Sequence, residues 1–233
     1  MLILAFETSA KAASVALAEG DKLLGEAYQN TGLTHSQTIM VMAEDLLKQC
    51  GKTHEDVNAV AVAAGPGSFT GVRIGVAAAK GFAWGAELPC CGVSTLEAMA
   101  ETLGIWEGYV CPVMDARRSQ VYNALFKVHC GECTRVREDR AISLQELGQD
   151  LQSLEGPVFL VGDGSNLCYN TLLESVPALV LPREHRMHQR ASGVALAAAK
   201  QLAAGAPCDG AALVPNYLRL SQAERERLAR QQA

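Results

Sequence analysis

The glycine-rich stretch 65–75 constrains the fold of this chain most, because it joins two apolar runs of different kinds. The run 57–64 is short and ends at Gly-Pro, which is typical of a buried strand, whereas the run 72–86 is long and rich in alanine, which predicts a helix. The stretch is therefore a strand–loop–helix junction in which Gly65 and Gly67 permit backbone angles that other residues avoid.

The chemistry of this loop leaves two interpretations open. Ser68 or Thr70 can cap the helix, and the free N–H groups at its start favour an anion or a carboxylate from a partner. No lysine completes a P-loop, and Thr70-Gly71 falls one residue too late for the dinucleotide-binding pattern. A tight turn that packs the helix against a sheet explains the same glycines.

The overall composition is that of a globular protein with a sizeable core. The 233 residues are 49% apolar, which suits one large domain or two small ones. The net charge of −5 argues against a broad basic face that binds RNA unaided. The start carries no basic leader segment and no apolar run reaches membrane-spanning length, so we expect no membrane association. We expect the eight scattered cysteines to be reduced thiols in a cytoplasmic protein.

The sequence indicates an internal duplication. Three strand-like runs open the chain and three with similar spacing recur later: 2–6, 13–18 and 22–28, then 109–114, 121–128 and 132–138. Each set is followed by alternating helix and strand patterns, which predicts mixed sheets flanked by helices. We divide the chain into a first subdomain, a second subdomain, and a C-terminal helix and tail that packs back on the first: 1–106, 107–187 and 188–233.

Two predicted helices, 36–50 and 72–86, are more apolar than one buried face requires. In the second, Gly71, Gly75 and Ala79 fall four residues apart and form a smooth ridge that another helix can approach closely. These helices are either covered within the chain or form an exposed surface for a partner.

Seven segments together resemble one family. The signature stretch consists of Gly65, Pro66, Gly67, Ser68, Phe69, Thr70, Gly71, Val72, Arg73, Ile74 and Gly75. It is similar to the signature of the bacterial TsaB (YeaZ) family. Supporting segments occur in that family's order and span nearly the whole chain: 3–9, 35–36, 92–96, 115–118, 162–164 and 217–219.

The resemblance implies an α/β fold, namely the duplicated actin-like ATPase (RNase H-like) fold with a mixed sheet in each subdomain. Acidic residues at the first turn of each half face a nucleotide in that superfamily, and here they would be Glu7 and Asp115, with Thr8 and Arg117 beside them. Glu7 stands where aspartate is usual, which puts a magnesium site in doubt. We expect no cofactor of the chain's own, while ATP or ADP could bind in a complex.

The resemblance also implies a function. TsaB proteins are non-catalytic partners of TsaD and the ATPase TsaE, which attach a threonylcarbamoyl group to the adenosine beside the anticodon of tRNAs that read codons starting with A. We expect contact with tRNA only through this complex, and self-association when TsaD is absent. The predicted partner interface lies on the two apolar helices and comprises Met40, Ala43, Leu47, Gly75, Ala79 and Phe82.

Two functions from other classes remain as alternatives. One is a nucleotide hydrolase or small-molecule kinase that uses Glu7 and Asp115; the other is a metalloprotease. For the second, His35 lacks a partner histidine four residues later, and Cys130 and Cys133 have no second ligand pair. We therefore expect no metal site.

Overall fold

The computed structural model describes residues 1–219, which form two sheets flanked by helices. The first half contains β1 (Leu2–Glu7), β2 (Ala13–Glu19), β3 (Lys22–Gln29), α1 (His35–Gln49), β4 (Ala59–Gly65), α2 (Phe69–Gly85), β5 (Cys90–Ser94) and α3 (Thr95–Leu103). The remainder contains β6 (Glu107–Asp115), β7 (Gln120–His129), β8 (Glu132–Ser143), α4 (Leu144–Gln152), β9 (Val158–Val161), α5 (Ser165–Leu172), β10 (Leu179–Val180) and α6 (Ala191–Ala203).

The two sheets have the same topology. The strand order is β3-β2-β1-β4-β5 in one and β8-β7-β6-β9-β10 in the other. In each, the first three strands form an antiparallel meander and the last two add in parallel. The predicted duplication and the predicted mixed sheets are therefore confirmed.

The central strand β1 is buried on both faces, which explains why it is apolar throughout. Leu4 and Phe6 face the core under α1 and α2, whereas Ile3 and Ala5 face a second core under α6. Helix α6 follows the second sheet in sequence but packs on β1 and β2 of the first. The alanines of α6 let the helix lie close to the sheet, so this late helix completes a core that the first strands of the chain form.

Several boundaries differ from the sequence prediction. Helix α2 begins at Phe69, three residues early, because Ser68 rather than a later residue caps it. Strand β8 continues to Ser143, and the two-residue strand β10 was not predicted at all. The tail beyond residue 219, part of the predicted third segment, lies outside the described residues.

Within residues 1–219, no helix is both long and apolar enough to cross a membrane.

Candidate functional site

The signature loop packs directly against the turn that follows β1. The backbone amide of Ser68 donates to the carbonyl of Ser9 at 2.7 Å. A Cβ atom on Gly67 would lie 2.6 Å from that same oxygen, and one on Gly71 would collide with the carbonyl of Thr8. The glycines are thus required because two backbone segments meet here without room for side chains.

Two side-chain hydroxyls at the start of α2 form hydrogen bonds within the chain. The Ser68 hydroxyl accepts a hydrogen bond from the Gly71 amide at 3.3 Å, as an N-cap. The Thr8 hydroxyl donates to the Gly71 carbonyl at 2.8 Å. These contacts favour the packing turn over the anion site as the interpretation of the loop.

A return segment, which we define as residues 205–219, runs back over the signature loop. The Asn216 amide donates to the Ala64 carbonyl at 2.6 Å, and Lys80 Nζ donates to the Leu213 carbonyl at 3.1 Å. Gly65 has φ +118°, and a Cβ atom there would collide with the Asn216 carbonyl. Glycine is therefore needed at this position both for its backbone angle and for the approach of the return segment.

An aromatic and cationic stack joins the return segment to α2. The rings of Phe69 and Tyr217 stack with their centroids 4.7 Å apart. The Arg73 guanidinium lies 3.8 Å from the Phe69 centroid, and its Nε donates to the Tyr217 hydroxyl at 2.8 Å. No local sequence pattern predicts this contact, although both segments belong to the family resemblance.

A cleft of about 550 Å³ lies between the two halves, bounded by the signature loop, the turns after β1 and β6, and the return segment. Its charged lining is mixed, with Lys11, Arg117 and Arg219 opposite Asp115 and Asp163. Arg219 Nη1 donates to the backbone carbonyl of the residue after Asp115 at 2.6 Å, which ties the return segment to the second half. Neighbouring protein atoms exclude water from the Asp163 carboxyl and so raise its pKa, although part of the side chain is exposed to solvent.

The predicted acidic pair is not assembled across this cleft. Asp115 and Arg117 line it, and the Arg117 amide donates to Asp115 Oδ1 at 2.6 Å. Glu7 and Thr8, in contrast, have no exposed surface. The prediction that all four residues face a nucleotide is therefore corrected: two lie in the cleft and two lie beneath it.

Glu7 is a buried acid with incomplete hydrogen bonding. Its Oε1 accepts the Ser9 amide at 2.5 Å, while Oε2 has no partner among the described residues. Burial raises the pKa of Glu7 to about 7, and the neighbouring negative charge of Asp163 adds to the rise. Glu7 in this position does not fit a magnesium ligand, because it is sealed from the cleft and its surroundings disfavour the ionised carboxylate.

Four of the six predicted interface residues lie in the chain's own core. Ala43, Leu47, Gly75 and Ala79 are buried, and a Cβ atom on Gly75 would collide with the Thr8 hydroxyl. The small-residue ridge of α2 therefore faces the sheet and not a partner, which corrects the prediction. The physical reason is that a small-residue ridge allows close packing on a sheet as well as on a helix.

The remaining two predicted residues reach the surface. Met40 is 41% exposed on α1 and Phe82 is half-buried on α2.

Helix α2 carries a second small-residue ridge that is exposed. It consists of Ala77, Gly81 and Gly85, again four residues apart, and a Cβ atom on either glycine would meet no atom of residues 1–219 within 4 Å. Trp84 stands beside it with 87% of its surface exposed, and Val41 of α1 is 56% exposed. Sequence reasoning missed this face because the spacing of small residues is the same on both sides of the helix.

His35 has a structural contact. Its Nε2 lies 2.8 Å from the Ala10 carbonyl, so it fastens the start of α1 to the turn after β1.

The cysteines depart from the prediction in one respect. Cys90 and Cys91 face the two opposite cores of the first half, as expected for neighbours on a strand. However, Cys91 is bonded to Cys208 in a disulfide, so the prediction that every cysteine is a reduced thiol is wrong. The pairing was invisible in the sequence because 117 positions separate the two residues. The bond fixes the return segment to β5.

Two mixed sheets of identical topology with a cleft between them define the actin-like fold. A structure of ethanolamine utilization protein EutJ from Carboxydothermus hydrogenoformans shares this fold at 13% identity, with a TM-score of 0.51 over 84% of this chain and 90% of that one. YeaZ from Pseudomonas aeruginosa is more similar, at 25% identity and a TM-score of 0.74 over 93% of this chain and 100% of that one.

The sequence comparisons identify the family within this fold. Residues 29–227 match the family model described as TsaD, tRNA N6-adenosine threonylcarbamoyltransferase. The tRNA threonylcarbamoyladenosine biosynthesis protein TsaB of Bacillus subtilis is 34% identical over 226 residues, which is 96% of each chain. The chain belongs to the TsaB family.

Proposed function

We propose that this chain is a non-catalytic subunit required to form the threonylcarbamoyl group on the adenosine next to the anticodon, in tRNAs that read codons starting with A. It binds and activates a TsaD-like subunit together with a TsaE-like ATPase, in the cytoplasm, and meets tRNA only within that complex. The observation that carries the proposal is the 34% identity to a TsaB protein along 96% of the chain.

The cleft supports a non-catalytic role. Glu7 is sealed from it, the loop at the start of α2 uses its polar groups internally, and the charges that remain are mixed in sign. An independent hydrolase or kinase would need an assembled pair of magnesium ligands, so this alternative is not favoured. For a protease, His35 would have to be free, yet its Nε2 contacts a backbone carbonyl. ATP or ADP in the complex would meet Asp115 and Arg117 rather than Glu7.

The exposed face of α1 and α2 is the surface that we assign to the TsaD-like partner, and to a second copy of this chain when the partner is absent. Large side chains are exposed on both helices, namely Met40 and Val41 on α1 and Trp84 on α2. Exposed tryptophan is uncommon on a surface that only meets water and is enriched at interfaces. The open glycines would let a partner's backbone come close.

Gly81→Arg tests this surface. The new side chain has open space in the free protein, and leaving glycine favours the helix by about 0.5–1 kcal/mol, so the fold should persist. A long charged side chain on the ridge should hold a partner helix away. We expect the affinity for the TsaD of the same organism to fall at least roughly 10-fold, or about 1.4 kcal/mol, in calorimetric titration.

The matched control is Gln149→Arg, which adds the same charge at an exposed position of α4 in the second half. It should bind TsaD as the unchanged protein does. Equal, undiminished binding by both variants would contradict the assignment of the α2 face.

Reconstitution tests the function itself. TsaD, TsaE, ATP, a threonylcarbamoyl-adenylate donor and the unmodified tRNA should yield modified tRNA, with release of AMP, only when this chain is added. Light scattering should show a mixed complex with TsaD. If the isolated chain instead turns over ATP with magnesium and does not bind TsaD, the enzymatic alternative is correct.

A further inference from the structure

Three side chains with metal-binding atoms meet at the end of the second sheet that is remote from the cleft. Glu107 and His129 are directly opposite each other in the antiparallel pair of β6 and β7, so their side chains share one face. Cys130 follows in the turn to β8, and all three residues are exposed. Asp115, at the cleft end of β6, is eight residues or roughly 25 Å away.

The three groups already contact one another. Glu107 Oε1 accepts the Cys130 amide at 3.1 Å and lies 3.0 Å from His129 Nδ1. With the proton of His129 on Nε2, the free lone pair of Nδ1 is on the side of Glu107. The three candidate ligand atoms are therefore Glu107 Oε1, His129 Nδ1 and Cys130 Sγ.

The distances suit a tetrahedral ion. Zinc bonds of about 2.3 Å to sulfur and about 2.0–2.1 Å to nitrogen and oxygen place neighbouring ligand atoms about 3.3–3.6 Å apart in a tetrahedron. The observed separation between Glu107 Oε1 and His129 Nδ1 is 3.0 Å, and that between Glu107 Oε1 and Cys130 Sγ is 3.9 Å. Both are close to the tetrahedral separations, so small side-chain movements bring the three atoms around one ion.

The charges are also suitable. A carboxylate and a thiolate together balance the charge of a divalent ion. Thiolate, imidazole and carboxylate form a set of ligands that zinc prefers and that magnesium and calcium do not.

We propose that Glu107, His129 and Cys130 bind one Zn²⁺ ion, with the fourth position open to water or to a donor atom of another molecule. The site is independent of the proposed role with TsaD. It departs from the expectation of no metal, which rested on the lack of a second ligand pair beside Cys130 and Cys133. Cys133 is not part of it, because its side chain packs in the core and burial raises the pKa of its thiol to about 12.

The neighbouring Trp106 provides a reporter. Its backbone carbonyl accepts the Gly131 amide at 3.1 Å, and its ring lies beside Gly131 in the same turn. In a Trp84→Phe background Trp106 is the remaining tryptophan. Zinc should change its fluorescence, and Co²⁺ in place of zinc should give the near-ultraviolet absorption of a thiolate–metal bond.

The experiment is titration of the reduced, metal-free full chain with zinc. We expect one ion per chain by calorimetry. Cys130→Ser should abolish the cobalt–thiolate band and weaken zinc binding by more than about 100-fold, and Glu107→Gln should weaken it by roughly 10–100-fold. Cys133→Ser, which removes a thiol three residues away, should leave the band and the affinity unchanged. The proposal is overturned if no zinc binds, or if binding and the band survive Cys130→Ser.

Discussion

Glu7 occupies the chain position of a ligand-facing acid, but it is buried and no ligand in the cleft can reach it. It ends β1, at the turn where the actin-like superfamily places a nucleotide-facing acid, yet it has no exposed surface. Its burial beneath the signature loop raises its pKa to about 7. The residue is better described as a titratable part of the core.

This burial predicts a pH dependence of stability. In the unfolded chain Glu7 has its ordinary pKa of about 4.5, and burial raises this pKa to about 7 in the folded chain. Between these values the folded state holds the extra proton, so stability decreases as pH rises from about 4.5 to 7 and is level above that. The decrease attributable to this one group is about 3 kcal/mol. It is measured as the difference in unfolding free energy between the unchanged chain and Glu7→Gln across this range.

Glu7→Gln should remove that dependence, because the amide keeps the acceptor for the Ser9 amide and carries no charge. At pH 8 the variant should be the more stable protein, by up to about 3 kcal/mol. The pKa of the neighbouring Asp163 is also raised, so Asp163→Asn is the control. This variant should keep most of the pH dependence of stability that comes from Glu7. Parallel pH profiles for the unchanged chain and Glu7→Gln would refute the assignment.

At the scale of elements, the return segment forms one wall of the cleft. It supplies Tyr217 to the aromatic stack, Arg219 to the second half, and Asn216 to the end of β4. It contains neither a helix nor a strand, so its position depends on side-chain contacts and on the disulfide from Cys208 to β5.

Cys208→Ser should therefore lower the free energy of unfolding under oxidising conditions. Disulfides typically contribute about 2–4 kcal/mol, and the chain-entropy relation gives an upper value of about 5 kcal/mol for a loop of this length. The loss should appear in urea denaturation without reductant, and it should become small when a dithiol is added, since the unchanged chain then loses the bond too. Cys130→Ser, at an exposed free thiol, should have little effect in metal-free buffer. A Cys208→Ser variant as stable as the unchanged chain without reductant would argue against the bond.

Much of the fold was predictable at this scale, because periodicity and turn residues act locally. The strands of both meanders and α1 begin within two residues of the positions that the sequence predicts. The orientation of α2 was not predictable, since small residues occur on two faces and burial is decided by the sheet that it meets. The burial of Glu7 and the partner of Cys91 depend on contacts between distant segments, which leave no local pattern.

At the scale of the whole molecule, the two halves are not independent units. Helix α6 fills the core formed by Ile3, Ala5 and Ala61 on one face of the first sheet. Helix α3 belongs to the first half in sequence and packs with the second sheet through Leu96 and Met99. The first sheet thus needs the end of the chain for its stability.

We expect a fragment of residues 1–187 to lose cooperative folding, because the face of the first sheet that α6 covers would be bare. Circular dichroism should retain strand signal, while thermal unfolding should broaden and a hydrophobic dye should bind. A synthetic peptide of residues 188–219 added to the fragment should restore a sharp transition. A fragment that unfolds as sharply as the full chain, without the peptide, would contradict this dependence.

The late arrival of α6 has a consequence during protein synthesis. Strand β5 completes the first sheet at Ser94, and α6 ends about 110 residues later at Ala203. At roughly 5–20 residues per second, the ribosome leaves one apolar face of that sheet uncovered for about 5–20 s. A nascent chain in this state is a natural client for a chaperone. A truncated messenger RNA would yield a product that lacks α6 and leaves this apolar face of the first sheet exposed.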